Sequence, residues 1–155
     1  MENPSNFHTL KGYQLQEEVK ITPSMEDYLE MICRMYKEQK PVRINELAQL
    51  LNVKPSSASK MVQNLKESHL VDFQKYGYIS PTSEGQRLGE YMLYRHEVLL
   101  SFLRLLNGSD NQLEQVEKIE HFMDKKTIEN LEQLTKRLSQ KHTTIPAPNS
   151  GIPGC

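Results

Sequence analysis

A chain of 155 residues with 25% charged residues and a net charge of −1 can hold one compact domain, or two small lobes sharing a long element. That balance excludes a strongly basic nucleic-acid coat but not a modest DNA-reading face. No apolar run approaches the roughly 18 residues that span a bilayer.

The opening stretch, MENPSNFHTLKGYQLQEEVK, lacks the apolar core of a signal peptide. Two distant cysteines, Cys33 and Cys155, fit a reducing cytoplasm. Residues 1–21 are polar without sustained periodicity and read as a flexible leader. The ending TTIPAPNSGIPGC (143–155) reads as a disordered tail.

Between these ends the pattern is helical with one short β excursion. A first helix opens at Thr22-Pro23-Ser24, where Pro suits the first turn, and runs to about Lys40. Its apolar stripe is Met25, Tyr28, Leu29, Ile32 and Tyr36. Asn45 is placed to cap a short second helix through Leu51, with Leu47, Leu50 and Leu51 inward. Pro55 opens a third, with Ala58, Met61, Val62 and Leu65 buried. The period then changes to two, and Leu70–Phe73 and Tyr76–Ile79 read as strands around a glycine turn. Thr82 or Ser83 caps a long fourth helix over 83–107, Ser83 and Gln86 having capping-box spacing, and Gly108 stops it. Asp110 is expected to cap a fifth helix to about Asp124, and a sixth covers about 126–140.

A short helix, a tight turn, a second helix and a two-stranded ribbon form the winged helix-turn-helix pattern. The second helix of the pair would present Ser56, Ser57, Ser59, Lys60 and Gln63 outward. Short hydroxyls allow close approach to a duplex, Gln63 suits an adenine edge and Lys60 a phosphate. Lys75 and Tyr76 at the ribbon tip are candidates for backbone contact. Five cations against three carboxylates leave only +2 over 41–82, so a dimer reading two half-sites is the natural supplement. The surplus of Leu99, Leu100, Phe102, Leu103, Leu105 and Leu106 on the fourth helix suits such a two-fold contact.

Carboxylates and histidines form a second constellation. Asp27 and Glu30 share a face of the first helix, away from its apolar stripe. Glu117, Glu120 and His121, at i, i+3 and i+4, share a face of the fifth, and His96 lies midway along the fourth. Each piece alone is also what a solvated acidic face or a packed histidine looks like, and spacing does not bring them together. If they meet, four carboxylates and two imidazoles without a thiolate suit Mn²⁺ or Fe²⁺ with six or seven ligands. A structural Zn²⁺ site would recruit cysteine, whereas Cys33 reads as a helix-edge packing residue.

The strings TPSMEDYLE (22–30), KPSSASKMVQNL (54–65), YRHE (94–97) and VEKIEH (116–121) resemble the manganese transport regulator branch of the diphtheria-toxin-repressor family over about residues 22–140. The resemblance implies homodimeric, metal-activated winged-helix repressors. It also implies a binuclear site, with one ion on Asp27, His96, Glu117 and Glu120. The second would take Glu30, Glu120 and His121 with the Glu117 carbonyl, so that Glu120 bridges. Glutamate at 117, where the iron-sensing branch carries sulfur, favours manganese.

The expected architecture is mostly α: a winged helix-turn-helix DNA-binding domain over 22–82 with a small β-ribbon wing, then a helical dimerisation and metal-binding domain over 83–142. The expected function is a cytoplasmic, manganese-activated, homodimeric repressor of metal-uptake genes. It would bind double-stranded operator DNA and two Mn²⁺ per subunit, with Fe²⁺, Co²⁺ or Cd²⁺ in substitution, and would have no membrane partner and no enzymatic activity. Two rivals stand beside it: a carboxylate-bridged di-metal helical enzyme, and a metal-independent winged-helix interaction module.

Overall fold

The computed structural model describes Thr9 and residues 21–40, 42–74 and 76–142. Most of the expected leader, the whole of the expected tail and Lys75 lie outside the described residues. The chain divides into two compact units, Met1–Glu90 and Tyr91–Cys155.

In the first unit, α1 spans Pro23–Lys37, α2 Ile44–Leu50 and α3 Pro55–Glu67, followed by β1 Val71–Phe73 and β2 Ile79–Pro81. Thr22 caps α1, its Oγ1 accepting from the Met25 amide at 3.2 Å, and Pro23 takes the first position, where no amide hydrogen is needed. The buried stripe is Met25, Tyr28, Leu29, Ile32 and Cys33; Tyr36, expected inside, is 49% exposed. Cys33 is therefore core, and Gly89 of the long helix over Ser83–Asn107 makes room for it. A Cβ on Gly89 would lie 2.3 Å from the Cys33 sulfur, and the thiol donates to the Gly85 carbonyl at 3.5 Å.

Helix α2 starts two residues earlier than a cap at Asn45 would give, with Arg43 at the cap position. Glu46 reaches back instead, its Oε2 accepting from the Arg43 amide at 3.0 Å. Leu47 is fully buried while Leu50 is 47% exposed, because a helix of seven residues has too narrow an inner face for both. Three helices stop alike. Gln39, Asn52 and His69 adopt left-handed φ of 55°, 53° and 58°, and the next amides bond back to Met35, Ala48 and Leu65 at 3.0, 2.9 and 3.0 Å. These are Schellman closures without glycine.

The wing is an antiparallel pair with Val71 opposite Pro81 and Phe73 opposite Ile79. Ile79 also bridges to Val42. The second strand begins at Ile79 rather than Tyr76, because the turn between the strands is wider than the pattern suggested. Its left-handed residue is Tyr76, at φ 65°, and not Gly77.

Helix α4, Ser83–Asn107, starts in the first unit and continues into the second. Thr82 caps it: Oγ1 accepts from the Gly85 amide at 3.0 Å and donates to the His69 carbonyl at 2.8 Å. Gln86 does not complete a capping box, its side-chain amide lying 3.4 Å from the Pro81 carbonyl instead. Gly108, at φ +59°, ends the helix.

In the second unit, α5 spans Leu113–Ile119, a 3₁₀ turn covers Glu120–Phe122 and α6 spans Lys125–His142. The helix after Gly108 starts at Leu113, with Gln112 at the cap position instead of Asp110. It is also shorter than expected, because its winding tightens at Glu120. Asp124 begins α6, its Oδ1 accepting from the Thr127 amide at 2.7 Å. Val98, Leu99, Leu100, Leu103, Val116 and Ile128 form the core of this unit. Leu99, Leu100 and Leu103 are thus spent internally, and Leu106, Leu113 and Phe122 remain about half exposed or more. No helix among the described residues is long and apolar enough to cross a membrane.

Candidate metal centre and nucleic-acid interface

In the second unit, His96 on α4 and Glu120 in the 3₁₀ turn meet inside the protein. The imidazole Nδ1 lies 3.0 Å from the Glu120 Oε2, with side-chain exposures of 7% and 3%. A ligand atom of His121 lies within 4.8 Å of one from Glu120. The sequence spacing placed Glu117, Glu120 and His121 on one α-helical face. The 3₁₀ winding from Glu120 onward alters the phase of His121, while Glu120 follows buried Val116 by one ordinary helical turn. Glu120 turns into the interior, His121 is half-buried beside it, and Glu117 is exposed and outside this cluster. A buried carboxylate between two imidazoles, without a thiolate, fits a divalent ion of borderline or hard character.

In the first unit, Asp27 and Glu30 lie on α1, away from its buried stripe. Asp27 is exposed; Glu30 is mostly covered and pairs with Arg34 at 3.0 Å. Cys33, one turn beyond Glu30, is buried in the core of the first unit. Burial first, and the carboxylates of Glu90 and Glu30 next, push its thiol up to about 11 despite the nearby Lys37.

The third helix presents the expected DNA-facing set. Ser56, Ser57, Ser59, Lys60 and Gln63 are all exposed, while Ala58, Val62 and Leu65 are buried. Gln63 donates to Glu67 at 3.2 Å along the same helix. Lys66 ties α3 to the wing, donating to the Phe73 carbonyl at 2.7 Å. Tyr76 at the wing turn is 84% exposed, and Lys75 is outside the described residues. One contact had no signal in the sequence: the Arg43 guanidinium lies 4.4 Å from the centre of the Tyr78 ring. A cation and an aromatic so far apart in the chain leave no pattern.

A winged helix-turn-helix with a polar third-helix face, joined to a helical unit holding a buried histidine–carboxylate cluster, defines a metal-responsive DNA-binding regulator. Residues 20–79 match the model of the iron dependent repressor N-terminal DNA binding domain. Residues 82–149 match its metal binding and dimerisation domain. The chain is 36% identical over 127 residues to the HTH-type transcriptional regulator MntR of Geobacillus thermodenitrificans (strain NG80-2), covering 81% of this chain and 90% of that one. It is 35% identical over 125 residues to MntR of Shouchella clausii (strain KSM-K16), covering 80% and 87%. The chain belongs to the iron-dependent repressor family, in its manganese transport regulator branch. It is a metal-dependent transcriptional repressor with a DNA-binding and a dimerisation domain, and not an enzyme.

Among solved structures it is similar to the manganese regulator SloR, with a TM-score of 0.67 and 25% identity over 75% of this chain and 55% of that chain. A manganese-dependent transcriptional repressor in complex with manganese matches at a TM-score of 0.62 and 26% identity, over 72% and 52%. The chain therefore spans about half the length of these two structural relatives.

Proposed function

We propose that the chain is a manganese-activated, homodimeric repressor of metal-uptake genes, acting in the cytoplasm on double-stranded operator DNA. The observation that carries this reading is the buried His96–Glu120 pair with His121 beside it, in the unit whose family model is a metal-binding one. The donor chemistry suits Mn²⁺ or Fe²⁺, and the relatives named as manganese regulators support manganese between them.

The proposed ligand set is Asp27, Glu30, His96, Glu117, Glu120 and His121, holding two ions per subunit with Glu120 shared between them. Fe²⁺, Co²⁺ and Cd²⁺ are substitutes for the same donors. Glu117, exposed one turn before the cluster, enters the set on the sequence pattern alone. The division of labour is 22–82 for DNA and 83–142 for metal and dimer, flanked by a leader and a tail. The DNA-facing residues are Ser56, Ser57, Ser59, Lys60, Gln63, Lys75 and Tyr76.

The mechanism is electrostatic. Without metal, the carboxylates of Asp27, Glu30, Glu117 and Glu120 repel one another. Divalent charge offsets that repulsion, so binding favours the arrangement in which both recognition helices can reach DNA. The test is a pull-down of sheared genomic DNA from the source organism by the purified protein, with and without Mn²⁺. A few promoter fragments enriched only with Mn²⁺ is the expected result. Equal enrichment without metal would reduce the ions to a structural role, and no enrichment in either condition would remove the DNA-binding reading.

A further inference from the structure

We propose that Arg43 is a DNA-backbone contact, meeting one phosphate of the operator together with Asn45, Ser59 and Tyr76, and that Tyr78 is the platform that holds its guanidinium. This rests on the DNA-binding reading above and adds to it a residue outside both the third helix and the wing tip.

Three observations carry it. First, the guanidinium stacks 4.4 Å from the Tyr78 ring centre. Stacking uses the face of the guanidinium and leaves its in-plane N–H groups for a bidentate oxyanion. Second, among the described residues no carboxylate pairs with that guanidinium, although most basic side chains of this unit with a described partner meet an oxygen. Third, Arg43 borders a cleft of about 390 Å³ between α3 and the wing, lined also by Asn45, Ser59, Tyr76 and Gly77, and no acidic residue lines it. Ser59 belongs to the exposed face of α3. A duplex strand that follows this face passes the cleft, whose lining carries one cation, Arg43, and the polar side chains of Asn45, Ser59 and Tyr76.

Such a contact positions the protein without reading sequence. Its signature is the salt dependence of binding, whose logarithmic slope falls by about 0.9 for each phosphate that the protein no longer neutralises. Arg43→Gln should weaken operator and unrelated DNA alike, by about tenfold per subunit for a charged hydrogen bond. It should lower the slope by about 1.8 for a dimer, with Mn²⁺ binding unchanged. Tyr78→Ala should weaken binding less and keep the slope, because the charge remains, and Tyr78→Phe should behave as the wild type. A slope and affinity unchanged in Arg43→Gln would overturn the proposal. Should that variant fail to fold, Arg43→Lys decides. An unchanged slope with weaker binding supports the contact, since the charge stays and the fork is gone; unchanged affinity overturns it. Wild-type protein that shows no DNA binding at all in the same titrations would overturn the parent reading, which separates the two failures.

Discussion

His96 and Glu120, on different elements of the second unit, are held 3.0 Å apart between imidazole Nδ1 and carboxylate Oε2 in the protein interior. A carboxylate bonded to one ring nitrogen fixes the orientation of the ring. Glu120→Gln conserves shape and hydrogen bonding but removes the charge that a shared ligand must supply. Mn²⁺ titrated into this variant should bind at least tenfold more weakly, and metal should no longer raise its DNA affinity. An unaltered titration would take Glu120 out of the ligand set.

The close fit of Cys33 against α4 gives a pairwise test. Gly89→Ala would put a methyl group 2.3 Å from the sulfur and should destabilise by about 1–3 kcal/mol through overpacking. Adding Cys33→Ala should recover part of that stability, because the sulfur contact is removed while the Cβ of residue 33 stays 2.9 Å from the new methyl group. Urea unfolding of both single variants and the double variant measures the coupling. Strict additivity would show that the clash is relieved elsewhere.

Thr82 closes two elements with one hydroxyl, accepting from Gly85 and donating to His69. Thr82→Ala should cost about 1–2 kcal/mol, near the upper end for a helix cap, because the His69 carbonyl is also left without its donor. Thr82→Ser, which retains the oxygen, should change stability little. Thermal unfolding of the two variants distinguishes removal of the cap from removal of the methyl group.

The buried thiol of Cys33 makes stability depend on alkaline pH. Its folded pKa is raised from 9.0 to about 11, chiefly by burial. Between these values the unfolded chain releases the proton while the folded chain keeps it. The unfolded state then binds fewer protons, so stability falls as pH rises. The effect is absent below pH 9 and develops up to about 11. Subtracting the curve of Cys33→Ala from that of the wild type isolates it from lysine and tyrosine titrations. The same burial should protect the native thiol from iodoacetamide at pH 8 until the protein unfolds.

Legibility in the sequence followed the range of the interaction concerned. Pro23, Pro55 and Gly108 mark helix ends through their own backbone restrictions, and the expected span of about 83–107 agrees with α4. The cap of α4 was narrowed to Thr82 or Ser83 by their hydroxyls, and the structure assigns it to Thr82. Glu46 capping α2 in place of Asn45 was not legible, since both residues offer an oxygen and only the backbone path decides between them. Tyr36 and Leu50 were misplaced because periodicity fixes a face but not its width. The candidate ligands were legible as residue types at a spacing, while the 3₁₀ turn that begins at Glu120 was invisible. So was the Arg43–Tyr78 stack, which exists only once the chain has folded.

The 3₁₀ turn has one more consequence. Ile119 before it and Met123 after it both pack against the core of the second unit, so the turn is anchored at each end by oil rather than by coordination. The angular offset between Glu120 and His121 is then a property of hydrophobic packing. Interior substitutions such as Ile119→Val, far in chemistry from any donor atom, should shift the order in which Mn²⁺, Fe²⁺ and Co²⁺ bind. A metal series measured on that variant reads whether the interior acts as the tuning screw of ion choice.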